Sequence, residues 1–438
     1  MQRPWPLTIR GTGAVLLGLG CLLLASDQGV PELLYVAVLL LAVVAAALLS
    51  LYAVRRADGM TRTVTPEVLT VGGQARVTAR VSLRSAMASS PGTWHDTLSP
   101  GLGWVRPPAG DAAPDAGGRG GTTVVAGGAR GVFPALGSSL RGEPHTVDVD
   151  YRIEGTRRGV HTLGPLAVSS TDPFGLVLRS HTLPLVTQVV VAPEVVDLPA
   201  LSDLPGEAGG TRHTASNELG QGADNLIPRV YVAGDSMRRI HWRASAHRDE
   251  LMVRQEEQES TPAATVVLDL STGRFSTDAM RGAGLDPGFE RALSACVSVV
   301  SRLVREGYTV SVTDADGHPL ADPIEGGDLT AVETLGTGFA TLITRRDDHL
   351  GDLVSRFVGA IGGPLVVIVG RFDAADAATL APVAHHSSLP VLLSVAPVGE
   401  ALAHAAEHGW HPAAIGPDDD LAAAWQDAVD RGVGRVLS

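Results

Sequence analysis

The densest run of side chains able to do chemistry or recognition is Tyr231-Val-Ala-Gly234-Asp235-Ser-Met-Arg238-Arg239-Ile240-His241-Trp242-Arg-Ala-Ser245-Ala246. Gly234-Asp235 reads as a turn. Asp235 or Ser236 can then cap a following helix, because a short side-chain oxygen satisfies the free amides of a first turn. Helical spacing puts Arg238, Trp242 and Ala246 on one face; a strand would put Arg238, Ile240 and Trp242 on one side. The residues permit either. They also permit two uses. An Asp cap and an Arg-Trp stack could lock the segment onto a domain junction, or the segment could be a surface for a partner protein, since Arg and Trp are enriched at binding hot spots.

Other chemistry is sparse. His404-Ala-Ala-Glu407-His408 matches the inverted zinc-protease pattern, with both histidines on one helix face, but no glutamate follows residue 408 to complete the ligand set. His385-His386 precedes Pro390 in a polar link and reads as surface. There is no G-x-S-x-G and no evident Cys-His constellation, although triads are assembled in space and not in sequence. All 34 basic residues are arginine, a bias that GC-rich codon usage accounts for. Without lysine the chain cannot build a Walker-type phosphate loop or attach pyridoxal phosphate. Two cysteines, Cys21 and Cys296, make no disulfide framework, which fits a reducing compartment.

The elements that must position these residues fall into blocks. The length, 438 residues, suits two or three domains. Residues 11–26 and 33–54 carry no charge. The second run is about 33 Å long as a helix, enough to span a bilayer, and the shorter first run is extended if Leu7 to Ile9 join it and Arg10 snorkels. Arg3, Arg10, Arg55 and Arg56 flank the pair while Asp27 and Glu32 lie between its members. Positive flanks stay inside, so residues 1–56 are expected to form a multi-pass hairpin in the cell membrane with both ends cytoplasmic. That segment is at +2, so the rest of the chain carries −15 of the total −13. An acidic body argues against nucleic acid as its partner.

Residues 57–200 read as β: Gln74–Ser82 and His145–Ile153 alternate at period two, and Leu185–Val191 is β-branched. A sandwich or barrel-like domain is the expectation. The stretch 107–121 reads as low-complexity loop, and residues 201–262 as a linker plus the segment described above. From 263 to 438 apolar strands alternate with helical patterns, which predicts a doubly wound α/β domain. Its helix near 289–305 puts Phe289, Leu293, Cys296, Val300 and Leu303 on one stripe.

Y-x-x-G-D-x-x-R-x-I-x-W-x-x-S-A, followed by Val253-Arg-Gln-Glu256, resembles the signature of the domain of unknown function 58 family. Arg158-Gly159-Val160-His161, Leu163-Gly-Pro-Leu166 and Asp172-Pro173-Phe174-Gly175-Leu176 match it upstream, where such pieces close the family's β domain. His247 departs from the family's arginine, and Arg248 adjoins it. The resemblance implies a C-terminal domain similar to von Willebrand factor A. Such domains hold a divalent metal on Asp-x-Ser-x-Ser after the first strand, with a Thr and an Asp from later loops; hard oxygen ligands of that kind suit Mg²⁺. Asp269 and Ser271 fill the first two positions, but Gly273 brings no hydroxyl to the third and Val369-Gly-Arg-Phe-Asp373 gives no clear match for the later Asp. Arg371 is the expected substitute for the metal's charge. A degenerate, metal-free adhesion site is therefore expected.

The resemblance also implies a partner of the MoxR type of AAA+ ATPase, in cell-envelope or complex-assembly work. The expected function is a non-enzymatic, membrane-anchored adaptor or scaffold. The alternatives are a metal-dependent hydrolase at Asp269 and Ser271, and a structural envelope protein.

Overall fold

The hydroxyl of Thr8 accepts the Gly11 amide and so starts the first helix, α1 (Ile9–Gln28); Gly29, at φ +63°, ends it. Helix α2 (Pro31–Tyr52) returns beside it. In the computed structural model the described residues are 6–52, 57–83, 90–106, 123–137, 144–201, 226–230, 240, 242–248, 250–256, 262–345, 350–357 and 363–434. Both helices are long and apolar enough to cross a membrane. Gly18 lets them approach: a Cβ there would stand 3.2 Å from Leu41 Cγ. Of the flanking arginines, Arg3, Arg55 and Arg56 lie outside the described residues.

Eleven strands follow among the described residues: β1 (Ala57–Thr65), β2 (Val68–Thr70), β3 (Gln74–Leu83), β4 (Gly92–Leu98), β5 (Leu102–Arg106), β6 (Thr123–Val125), β7 (Gly128–Phe133), β8 (His145–Gly155), β9 (Gly159–Thr171), β10 (Leu178–Leu183) and β11 (Thr187–Ala192). They form two sheets, β1-β3-β8-β5-β6 and β2-β11-β9-β4-β7, with β10 beside β9. All pairings are antiparallel except β11 with β2. Alternate residues of each strand meet in one core that includes Val77, Trp94, Trp104, Ile153, Leu163 and Val189. Across it, Arg62 on β1 grips Asp96 on β4 at 2.8 and 3.0 Å, and the Tyr151 hydroxyl of β8 donates to the same carboxylate at 2.6 Å. The arginine and aspartate side chains are fully buried, so the pair ties the two sheets together. The loop predicted at 107–121 lies outside the described residues, as does 202–225.

Strand β12 (Leu226–Val230) pairs antiparallel with β13 (Met252–Glu256), and α3 (Trp242–Arg248) lies between them in sequence. The predicted linker therefore carries a small sheet of its own.

The last block opens with β14 (Ala263–Leu268), α4 (Asp278–Arg281), α5 (Pro287–Arg305), β15 (Thr309–Asp314) and α6 (Leu329–Phe339). It continues with α7 (Leu353–Phe357), β16 (Leu365–Phe372), α8 (Ala374–Ala384), β17 (Pro390–Pro397), α9 (Ala401–Glu407), β18 (His411–Ala414) and α10 (Leu421–Gly434). The five strands are parallel, in the order β15-β14-β16-β17-β18. Val266 and Leu268 face a core with α5, α6 and α10, whereas Val267 faces the opposite core with α7, α8 and α9. Both faces are covered, as the continuous apolar strands require. Asp286 caps α5 by accepting the Phe289 amide, with Pro287 just inside the helix. The stripe predicted on α5 is buried, as are Ser294, Ser298 and Ser301 on its other faces.

The β domain locks onto this block through Arg158, immediately before β9. Its guanidinium pairs bidentately with Glu290 of α5 at 2.7 and 2.8 Å and donates to the Phe339 and Leu342 carbonyls. Its side chain is fully buried. The Arg-Gly piece thus joins the β domain to the α/β block.

Candidate functional site

Open α/β sheets present ligand sites beyond the carboxyl ends of their strands. At that edge β14 delivers Asp269 and Ser271, which are 1% and 2% exposed. Asp269 Oδ1 accepts the Ser271 amide at 2.8 Å, and its Oδ2 faces Arg274 Nε at 3.3 Å. The same arginine holds Asp376 of α8 bidentately, at 2.7 and 2.8 Å. Arg274 can lie here because the turn Thr272–Arg274 rests on Gly370 at the end of β16. A Cβ on Gly370 would stand 2.2 Å from the Arg274 carbonyl oxygen.

On the other side β15 ends in Asp314, 3% exposed. Its carboxylate accepts the His318 amide at 2.8 Å and the Arg345 guanidinium at 2.7 Å. Residues 344–345 run along the end of β14: the Thr272 amide donates to the Arg345 carbonyl at 2.6 Å, and the Arg345 amide to that of Leu270 at 2.6 Å. Asp269, Ser271, Asp314, Asp316 and Arg345 line a small cleft there. The Ser271 hydroxyl is buried in it without a hydrogen-bond partner. Donor atoms of Asp314, Asp316 and His318 also lie close enough together to share an ion.

The electrostatics follow. Burial opposes ionisation of Asp376, but the Arg274 hydrogen bonds, the Asp373 amide and the charges of Arg274 and Arg371 outweigh it and hold the carboxyl below the usual range. Cys296, wholly buried in α5, has its thiol pushed up to about 12 by desolvation and is inert.

The cation beside Asp269 is Arg274, not Arg371. Arg371 is largely exposed and stands 3.8 Å from Asp373. Asp373 has a different task, capping α8 through the Ala375 and Asp376 amides in a capping box. The residues present do not make the metal-ligand set that the resemblance implies: Gly273 adds no oxygen, and Arg274 already serves the first aspartate. The structure adds Arg274, Asp314 and Arg345 to the residues foreseen. Arg274 lies five residues from Asp269 and was within reach of sequence reading; Asp314 and Arg345 come from other strands and loops and left no local signal.

The second candidate lies on the small sheet. Tyr231, Gly234, Asp235 and Arg238 are outside the described residues. Ile240 is buried, 5% exposed. The Ser245 hydroxyl accepts the Met252 amide at 2.8 Å and fastens α3 to β13. The segment is helical from Trp242, so Trp242 and Ala246 share a face, and both are exposed. Trp242 is 70% exposed and does not serve as a buried lock.

Upstream, Asp172 is buried and organises its loop, accepting the Phe174 and Val177 amides at 2.9 and 2.6 Å, while Phe174 is 66% exposed. Gly175 takes φ +69° in that turn. Of the zinc-like pattern, the His408 ring binds the carbonyl of His404 at 2.7 Å and closes the end of α9.

No curated protein matches the chain. Among solved structures, a cohesin module of a Clostridium perfringens family 33 glycoside hydrolase is similar at 11% identity and TM-score 0.19, over 31% of this chain and 96% of that one. The sporulation control protein Spo0M of Bacillus subtilis is similar at 13% identity and TM-score 0.18, over 31% of this chain and 49% of that one. Scores of this size assign neither a fold nor an activity. The family model described as "Protein of unknown function DUF58" matches residues 228–335, which span α3, Ile240, Trp242, Ser245, Asp269 and Asp314. Over those residues the chain is similar to that family.

Proposed function

We propose that the protein is a non-enzymatic adaptor, anchored in the cell membrane by the α1–α2 hairpin with both ends cytoplasmic, whose cytosolic body recognises a protein partner. The observation that carries this reading is Trp242: an indole 70% exposed on a helix that the Ser245 hydroxyl fastens to β13. A large aromatic left in water on a fixed support is what a hot spot looks like before its partner arrives. We read the α/β region as von Willebrand factor A-like, on the strength of Asp269-x-Ser271 after its first strand. The partner we propose, from the family resemblance, is a MoxR-type AAA+ ATPase. Affinity purification of the full chain from membranes tests this. An AAA+ ATPase is expected among the recovered proteins; its absence, together with no effect of the reconstituted chain on a candidate ATPase, would leave a structural envelope role.

One observation favours the alternative of a metal-dependent hydrolase at Asp269 and Ser271: the buried Ser271 hydroxyl without a partner in the cleft. Against it, Arg274 and Arg345 already place guanidinium charge on Asp269 and Asp314, so a cation would enter against two like charges. Calorimetry with Mg²⁺, Mn²⁺ and Zn²⁺ separates the two: heat of binding that disappears in Asp269→Ala would support the hydrolase.

A further inference from the structure

The loop after β9, Asp172-Pro-Phe-Gly-Leu176, is tied to the ends of the membrane hairpin. The Thr8 amide donates to the Leu176 carbonyl at 2.9 Å, the Thr8 hydroxyl donates to that of Gly175 at 2.7 Å, and the Leu178 amide donates to that of Pro6 at 2.8 Å. Gly11 lies so close that a Cβ there would meet the Leu176 carbonyl oxygen at 2.0 Å. Val177, fully buried, packs with Ala47 of α2, alongside Leu7, Leu48 and Leu176. Ala47 is about 8 Å along the axis from the helix end at Tyr52, at 1.5 Å per residue. The apolar run continues past Tyr52 to Val54 before the first arginine. A loop packed at that level lies inside the apolar boundary of the bilayer that the helices would cross.

We propose that this loop is a bilayer-inserted wedge, with Phe174 seated among lipid chains at the cytoplasmic boundary. The inference rests on the reading of α1 and α2 as membrane-spanning. Irregular backbone is tolerated at such depth only when its polar groups are satisfied internally. The loop meets much of that demand. Pro173 has no amide hydrogen; the Phe174 and Val177 amides go to the Asp172 carboxylate and the Gly175 amide to its carbonyl; the Gly175 and Leu176 carbonyls accept from Thr8. The charge that does this work is itself only 1% exposed. What remains outward is Pro173 and Phe174, the latter 66% exposed, an apolar ring of the kind that settles at the lipid boundary. The body is acidic, so it gains nothing from anionic headgroups; an apolar wedge fixes its orientation to the membrane without needing charge.

Nitroxide accessibility tests the wedge on the full chain in nanodiscs of phosphatidylcholine and phosphatidylglycerol. The background is Cys21→Ala, since Cys296 is fully buried and escapes labelling. Labels are placed at Phe174→Cys, at Leu39→Cys in the middle of α2, and at Val160→Cys, which is roughly 36 Å along β9 from Thr171. All three native side chains are substantially exposed, so the fold should tolerate them. The expected result is that oxygen relaxes the label at 174 several-fold more than a water-soluble nickel chelate does, as at 39 and opposite to 160. An aqueous pattern at 174 with a lipid pattern at 39 would overturn the wedge and leave the hairpin standing. An aqueous pattern at both would overturn the hairpin reading, and the wedge with it.

Discussion

Arg274 stands between Asp269 and Asp376, two carboxylates brought together by different strands and helices, and it is only 11% exposed. Removing it leaves both charges without their guanidinium in a half-buried setting. Arg274→Ala should therefore cost about 2–4 kcal/mol of stability at neutral pH, read by chemical denaturation. The acid limb gives a second, signed prediction. Asp376 has a folded pKa below its ordinary value, so its contribution is fully present above the ordinary aspartate range of about 4 and is lost as pH falls through the lower folded value. The stability gap between wild type and Arg274→Ala should narrow as pH is lowered below about 4; a gap that widens would contradict the assignment. Asp269 and Ser271 were legible in the sequence because a strand end and a two-residue spacing announce them. The pairing of Asp314 with Arg345 was not, because it joins residues 31 apart through a loop whose path only the fold determines.

At the scale of elements, the strands were the most legible. β3 and β8 show their burial alternation in sequence, and β14, β16 and β17 are continuous apolar runs bounded by turns. The doubly wound order followed from their alternation with α5, α8 and α9. Three elements left no such signal. α6 carries Gly336 and Gly338 with several threonines, weak helix formers that burial of Val332, Leu335 and Phe339 overrides. β18 has four residues, one of them Pro412, and α10 is rich in alanine. Two glycines test the packing argument. Gly370→Ala should destabilise by about 1–3 kcal/mol, because the Arg274 carbonyl occupies the space. Gly338→Ala, open on all sides in α6, should stabilise by up to about 1 kcal/mol. Thermal melts of the two variants should move in opposite directions. Arg158 sets a further test between elements. Arg158→Ala leaves Glu290 and two carbonyls without that partner, and should cost about 3–5 kcal/mol and split the melt of the β and α/β domains into two transitions. A single unshifted transition would show that the junction does not depend on it.

At the scale of the molecule there are three parts, which suit the adaptor we propose: an apolar hairpin, a β domain joined to it at Thr8 and Leu176, and an α/β domain locked to the β domain by Arg158. The chain has no lysine for a Walker loop of its own, which is consistent with the proposed ATPase partner supplying any energy used. The acidic body suits a protein partner better than nucleic acid. The most direct test is quantitative affinity purification of the full chain from membranes, comparing wild type with Trp242→Ala. The exposed indole is not needed for the fold, so the variant should melt as wild type does. Its recovery of an AAA+ ATPase should fall by about tenfold or more, the loss of ~1.4 kcal/mol or greater that a tryptophan hot spot entails. A folded Trp242→Ala chain that recovers the same ATPase at the wild-type level would contradict the claim that this surface is where the partner binds.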